Sequence, residues 1–168
     1  MKNIFISHAS DADKEIARQV KRWLELAYKD HVNVFVSSTG GIRPGNIPME
    51  DIADAIRGAD IMIVLLSPTA IKKAWVVFET GAAFGKSAKI LALLCKGAKV
   101  EKGPSVFMSA IQMVDMDDIN ACNDAIGELD AAIGYHHEVS EDELRRQLIA
   151  KPYIGTPVGF RRKWVEKL

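Results

Sequence analysis

One carboxylate in this sequence stands where its chemistry would change. Glu79 lies among Trp75, Val76, Val77, Phe78, Ala82 and Ala83, an apolar setting that strips water from a charged group and raises its pKa. Trp75 and Glu79 are four residues apart, hence neighbours on one face of a helix. On residue types alone a surface glutamate, or one capping a nearby backbone group, is the commoner outcome. Ser7 and His8 close the first apolar run. With Glu79 they sketch a hydrolytic triad, but no G-x-S-x-G nucleophile elbow accompanies them. His8 reads as an acid–base group or as a satisfied histidine at a sheet rim. Arg43, in a glycine-rich loop, reads as an anion contact or as a solvated loop residue.

Two glycine patterns mislead. Gly81-Ala82-Ala83-Phe84-Gly85-Lys86-Ser87 resembles a phosphate loop, yet it has one residue too few between its glycines and precedes a strand instead of following one. Close helix–sheet packing is the expected use of its small residues. Thr39-Gly40-Gly41 through Gly45 does not have dinucleotide-fingerprint spacing. A phosphoacceptor domain needs carboxylates at the ends of the first and third strands, where this chain has Ser7-His8 and Ser67-Pro68.

The elements that position these residues alternate along the chain. Strands are expected at 3–7, 32–36, 60–66, 89–95 and, more weakly, 111–115. The Ile61–Leu66 run is wholly apolar, as suits a central strand buried on both faces. Ser10 is an N-cap candidate, with Asp13 three residues later; Ile16, Val20, Trp23, Leu24 and Ala27 form the apolar face of the helix that follows. Pro48 and Gly58 bracket a second helix with Ile52, Ala55 and Ile56 as its stripe. Further helices are expected at 74–86 and 117–133, then from the capping box Ser140-x-x-Glu143 to Ala150, with a short last helix around Phe160 and Trp164. Trp23 is assigned to the core. Alternating strands and helices mean a parallel sheet with helices on both faces, and ligands bind at the carboxyl ends of such strands. Residues 7–13, 37–46 and 67–73 therefore form the chemical rim.

Composition bounds the function. The 168 residues carry 22 Lys+Arg against 22 Asp+Glu, so the basic footprint of a nucleic-acid binder is missing. No apolar run approaches the roughly 18 residues of a membrane span. Cys95 and Cys122 are too few and too far apart to suggest a disulfide framework or a zinc site; no metal and no resident cofactor are expected. The expectation is a soluble cytoplasmic protein with one domain. Its zero net charge conceals an asymmetry: positions 115–143 hold acidic residues and no Lys or Arg, whereas Arg145, Arg146, Lys151, Arg161, Arg162, Lys163 and Lys167 follow with only Glu166 against them. That pattern fits a solvated face, intramolecular pairing or self-association.

Four segments in order resemble a Toll/interleukin-1 receptor (TIR) domain of the bacterial type: Ile4-Phe5-Ile6-Ser7-His8-Ala9-Ser10, Val34-Phe35-Val36-Ser37-Ser38 with the glycine/proline loop Thr39–Ile47 (the family's BB loop), Asp60–Pro68, and Trp75–Ala82. The resemblance covers residues 1–134, leaving 135–168 as a C-terminal helical extension. It implies a flavodoxin-like, five-stranded parallel sheet. It further implies cleavage of NAD+, as substrate and not as cofactor, at the nicotinamide–ribose bond, with Glu79 of the W-x-x-x-E arrangement as the catalytic residue. The product would be ADP-ribose or a cyclic isomer, in a bacterial antiphage or stress pathway. Ser7, His8, Ala9, Ser38, Thr39, Gly40, Arg43 and Trp75 would contact the substrate. Lys72 occupies the position, three before the tryptophan, where active members often carry serine. The resemblance also implies self-association through the BB loop and a partner effector or sensor. A non-enzymatic TIR–TIR module, or a domain that binds NAD+ without cleaving it, are the alternatives.

Overall fold

The computed structural model describes residues 1–9, 11–37, 49–99 and 111–137. Five strands, β1 (Lys2–Ser7), β2 (Val32–Val36), β3 (Ile61–Leu66), β4 (Lys89–Leu94) and β5 (Met113–Asp115), form one parallel sheet in the order β2-β1-β3-β4-β5. The described helices are α1 (Asp11–Tyr28), α2 (Met49–Gly58), α3 (Ala74–Gly85) and α4 (Ile119–Ile133). This is the expected flavodoxin-like architecture. Its strand order reverses between β1 and β3, the kind of switch point at whose carboxyl edge open α/β sheets bind ligands.

The period of two along β3 divides the core. Ile61, Ile63 and Leu65 face α1 and α4, in one cluster with Leu24, Ala27, Tyr28, Leu129 and Ile133. Met62, Val64 and Leu66 face α2 and α3, with Ile52, Ile56, Val76 and Ala83. Every β3 residue is therefore buried, which explains its unbroken apolar run. Each such side chain contributes about 1.5–3 kcal/mol by leaving water.

Three details differ from expectation. Trp23 only borders the first cluster; Tyr28, five residues on, is the fully buried aromatic of α1. A hydroxyl at the far edge of its ring lets Tyr28 fill the interior and still find a partner, Asp130. Second, α4 starts at Ile119 because Asp118 is its N-cap, accepting from the backbone N–H groups of Asn120 and Ala121. Third, the small residues of 81–85 are not a packing stripe. Ala83 alone is buried, and a Cβ added at Gly81 or Gly85 would meet nothing within 4 Å. The position of this run inside α3, ahead of β4, agrees with setting the phosphate-loop reading aside.

Ser10, Pro48 and the expected helices beyond residue 140 lie outside the described residues. Both cysteines are free thiols, as expected, and burial pushes Cys95 up to about 12 and Cys122 up to about 11. No described helix is long and apolar enough to cross a membrane.

Gly134 ends α4 in the left-handed region, with φ 74°, and its N–H donates to the Asp130 carbonyl at 2.8 Å. Gly134→Ala meets no steric block but must hold that φ. The expected cost is about 1 kcal/mol, read as a lower urea midpoint at constant m.

Candidate functional site

The carboxyl edge of the sheet carries two polar clusters, one toward each helical layer. The first is built on Glu79, in the middle of α3. An ordinary amphipathic helix would turn its acid outward. Here the relation is inverted: Glu79 and Thr80 are fully buried, while Phe78 and Phe84 are 59% and 62% exposed. Thr80 is accommodated by donating its hydroxyl to the Val76 carbonyl one turn back. Glu79 receives its partners from the sheet. Ser7, the last residue of β1, donates to Oε2, and Ser37, just beyond β2, donates to Oε1 at 2.8 Å.

Strand register explains why two serines converge. Ile6 pairs with Val36, so the next residues, Ser7 and Ser37, come out side by side at the same level. The backbone reinforces this, because the Ser37 N–H donates to the Ile6 carbonyl at 2.8 Å. Ser37 was not singled out as a site residue from the sequence. The signal was nevertheless there, since both strands end in an aromatic or apolar pair followed by serine at matching depth.

Burial raises the Glu79 pKa, and the hydrogen bonds from Ser7 and Ser37 and the nearby Trp75 indole oppose it. Charge-assisted bonds are worth about 1.5–3 kcal/mol each, against several kcal/mol for burying a carboxylate. The net shift is upward, so desolvation wins. The Trp75 indole is the third hydrogen-bonding neighbour that lowers the Glu79 pKa, although its Nε1–H makes no well-aligned hydrogen bond to a described residue. Trp75 also lies against Phe78, with ring centroids 5.5 Å apart.

Of the expected site residues, Ser7, Trp75 and Glu79 come together. His8 is fully buried next to Ser7, and Ala9 packs against the α2/α3 cluster. Ser38, Thr39, Gly40 and Arg43 fall outside the described residues. Lys72 is exposed, at the end of the 3-10 turn Ala70–Lys72 that precedes α3.

The second cluster lies toward α1. Asp13, 1% exposed at its side chain, pairs with Lys96 at 2.9 Å and accepts from the Ser67 hydroxyl at 2.9 Å. Ser67 in turn accepts from the Ala70 N–H at 3.1 Å. These contacts join the ends of β3 and β4 to the first turn of α1, so the rim around Glu79 rests on a fixed frame. Asp13 was expected only as part of a helix cap; its long-range partners depend on the fold.

Ser37→Ala tests the first cluster. It removes one of the bonds holding the Glu79 charge, so the expected loss is about 1–2 kcal/mol near neutral pH and less in acid, where Glu79 is protonated. Urea denaturation at two pH values measures it.

The site thus consists of a five-stranded parallel sheet, in the order β2-β1-β3-β4-β5, and a buried carboxylate held by serines at the carboxyl ends of β1 and β2. Residues 4–129 match the TIR domain family, and the chain belongs to it. Among solved structures, the chain is similar to the TIR domain of the Toll-related receptor TRR-2 from Hydra magnipapillata, with 21% identity, a TM-score of 0.59, and coverage of 80% of this chain and 99% of that one. At that identity the likeness concerns the fold. No curated protein matches the sequence.

Proposed function

We propose that this chain cleaves NAD+ at the nicotinamide–ribose bond, giving nicotinamide and either ADP-ribose, by hydrolysis, or a cyclic ADP-ribose isomer, with Glu79 as the catalytic carboxylate. One observation carries the reading: a buried glutamate at the carboxyl edge of the sheet whose charge is held, among the described residues, by neutral groups, the hydroxyls of Ser7 and Ser37 and the Trp75 indole. Its negative field would serve a ligand. Nicotinamide departs as a good, neutral leaving group, so no general acid is needed. The electron pair of the glycosidic bond leaves with it, and the ribose develops oxocarbenium character that an adjacent anion stabilises. Water, or the adenine of the same molecule, then attacks the ribose carbon and releases a proton.

Trp75, one turn before Glu79 on the same helix face and among the groups that lower its pKa, would wall the ribose or nicotinamide side. Ser7, His8 and Ala9 would line the pocket, and Ser38, Thr39, Gly40 and Arg43 would complete it from the loop. In this conformation Glu79 is fully covered, so substrate reaches it only when covering groups move. Self-association through the BB loop, with the 1–134 unit as the associating domain and 135–168 as an extension, supplies such a step. The setting proposed is cytoplasmic antiphage signalling with a partner sensor or effector.

The full burial of Glu79 also favours a second reading, a non-enzymatic TIR–TIR module in which the glutamate only clasps β1 and β2 to α3. Chromatography of NAD+ after incubation with dilute and with concentrated protein separates the two. Nicotinamide release that rises more than proportionally with protein concentration is expected. Assembly without NAD+ loss would leave the clasp as the function of Glu79.

A further inference from the structure

The four residues after α4 do something the fold does not require of them. Gly134 reverses the chain, and both its N–H and that of Tyr135 donate to the Asp130 carbonyl, at 2.8 and 3.2 Å. The turn lays the next residues back over the helix end. Tyr135 stacks on His31, and the two following histidines converge on a single carboxylate. His136 Nδ1 lies 2.7 Å from Asp130 Oδ2, and His137 Nδ1 lies 3.2 Å from both carboxylate oxygens. These three side chains can each present one ligand atom, all within 4.8 Å of one another.

We propose that Asp130, His136 and His137 form a binding site for a divalent transition metal of the zinc class. The donor set, two imidazole nitrogens and one carboxylate oxygen, is that of zinc, cobalt or nickel, not of magnesium or calcium, which take oxygen ligands. Bonds of roughly 2.0–2.1 Å in a tetrahedron place ligand atoms about 3.3 Å apart. The His137 spacing already has this value, and His136, whose side chain is 86% exposed, is able to adjust to it. The fourth position would belong to water.

A second layer holds the first. Tyr28, fully buried, donates its hydroxyl to Asp130 Oδ1 at 2.8 Å, which fixes the carboxylate and leaves Oδ2 toward the histidines. Such outer partners orient ligands and raise their affinity. Asp130 and His137 are only 14% and 21% exposed at their side chains, so the solvent-facing His136 marks the route of entry. Along the chain, positions 115–137 carry acidic residues and no Lys or Arg. All three ligands lie beyond residue 129, where the family match ends. A bound ion would fasten the end of α4 and the residues that follow it to α1, through Tyr28.

The test is titration of the full chain, stripped with chelator, with Zn2+ alone by calorimetry and with Co2+ by visible absorption. Saturable uptake of one equivalent, intense tetrahedral cobalt bands and a raised melting temperature are expected. His136→Ala, at an exposed position, and His137→Ala should each weaken uptake by about 100-fold, and Tyr28→Phe by about 10-fold. Cys122→Ser should leave uptake unchanged. Absence of saturable uptake at micromolar Zn2+, unchanged affinity in His136→Ala, or loss in Cys122→Ser would each overturn the assignment. None of these readouts depends on NAD+ cleavage.

Discussion

Glu79→Gln is expected to lower nicotinamide release from NAD+ by at least about 10²–10³-fold, the usual loss when a preorganised electrostatic group is removed from a transition state, while the protein stays folded. The amide keeps the shape and the two-sided hydrogen bonding of the carboxylate. Its oxygen accepts from one serine, and its NH2 donates to the other after that hydroxyl rotates. The clasp among α3, Ser7 and Ser37 therefore survives, and only the charge is lost. Glu79→Ala would be a harsher and less informative change, because it also leaves a cavity. Undiminished release by a folded Gln variant would remove Glu79 from the chemistry.

Stability gives the same substitution an independent signature. Burial raises the Glu79 pKa above its ordinary 4.5, so the folded protein binds this proton more tightly than the unfolded chain does. The stability so contributed is complete below 4.5 and is lost as pH rises through the raised value. Gln cannot ionise and suffers no such loss. The Gln variant should accordingly gain stability relative to wild type as pH rises from 4.5 toward neutrality. Catalysis needs the ionised form, so wild-type NAD+ cleavage should fall on the acid side at a pH above the ordinary carboxylate range. Activity and stability then respond to the same proton in opposite directions.

The second large effect concerns the frame around the site. Lys96→Met should destabilise the fold by about 3–5 kcal/mol, because it strands the buried Asp13 carboxylate without its ion-pair partner. Asp13→Asn should cost less, about 1–2 kcal/mol. The Lys96 side chain is 25% exposed against 1% for Asp13, so the lysine keeps a route to water and the aspartate does not. Urea midpoints of the two variants, with the double variant to close the cycle, measure the asymmetry. Equal, small losses would mean that water reaches the pair and that it does not brace the rim.

The elements themselves were legible because each rests on local chemistry. The all-apolar Ile61–Leu66 run required a strand covered on both sides, and the stripe of Ile16, Leu24 and Ala27 required a helix against the sheet. The pairing of Trp75 with Glu79 followed from helical spacing. Trp23 lies at the border of the core and not inside it, because periodicity gives the direction of a side chain but not the depth of the layer beneath it. Gly81 and Gly85 lack close neighbours for a related reason: composition shows that close packing is feasible, and only the surrounding fold decides whether anything is close.

The sequence alone thus determined the parallel α/β architecture, its carboxyl rim and the singular position of Glu79, since these depend on hydrophobic period and on residues a few places apart. Tertiary structure decided which groups meet at that rim. Ser7 and Ser37 are brought to Glu79 from 72 and 42 residues away, and Lys96 and Ser67 to Asp13 from 83 and 54. Contacts of such separation are set by strand order and register, which no local pattern encodes. The carboxylate's burial, and with it its raised pKa, exists only once the sheet has closed around it.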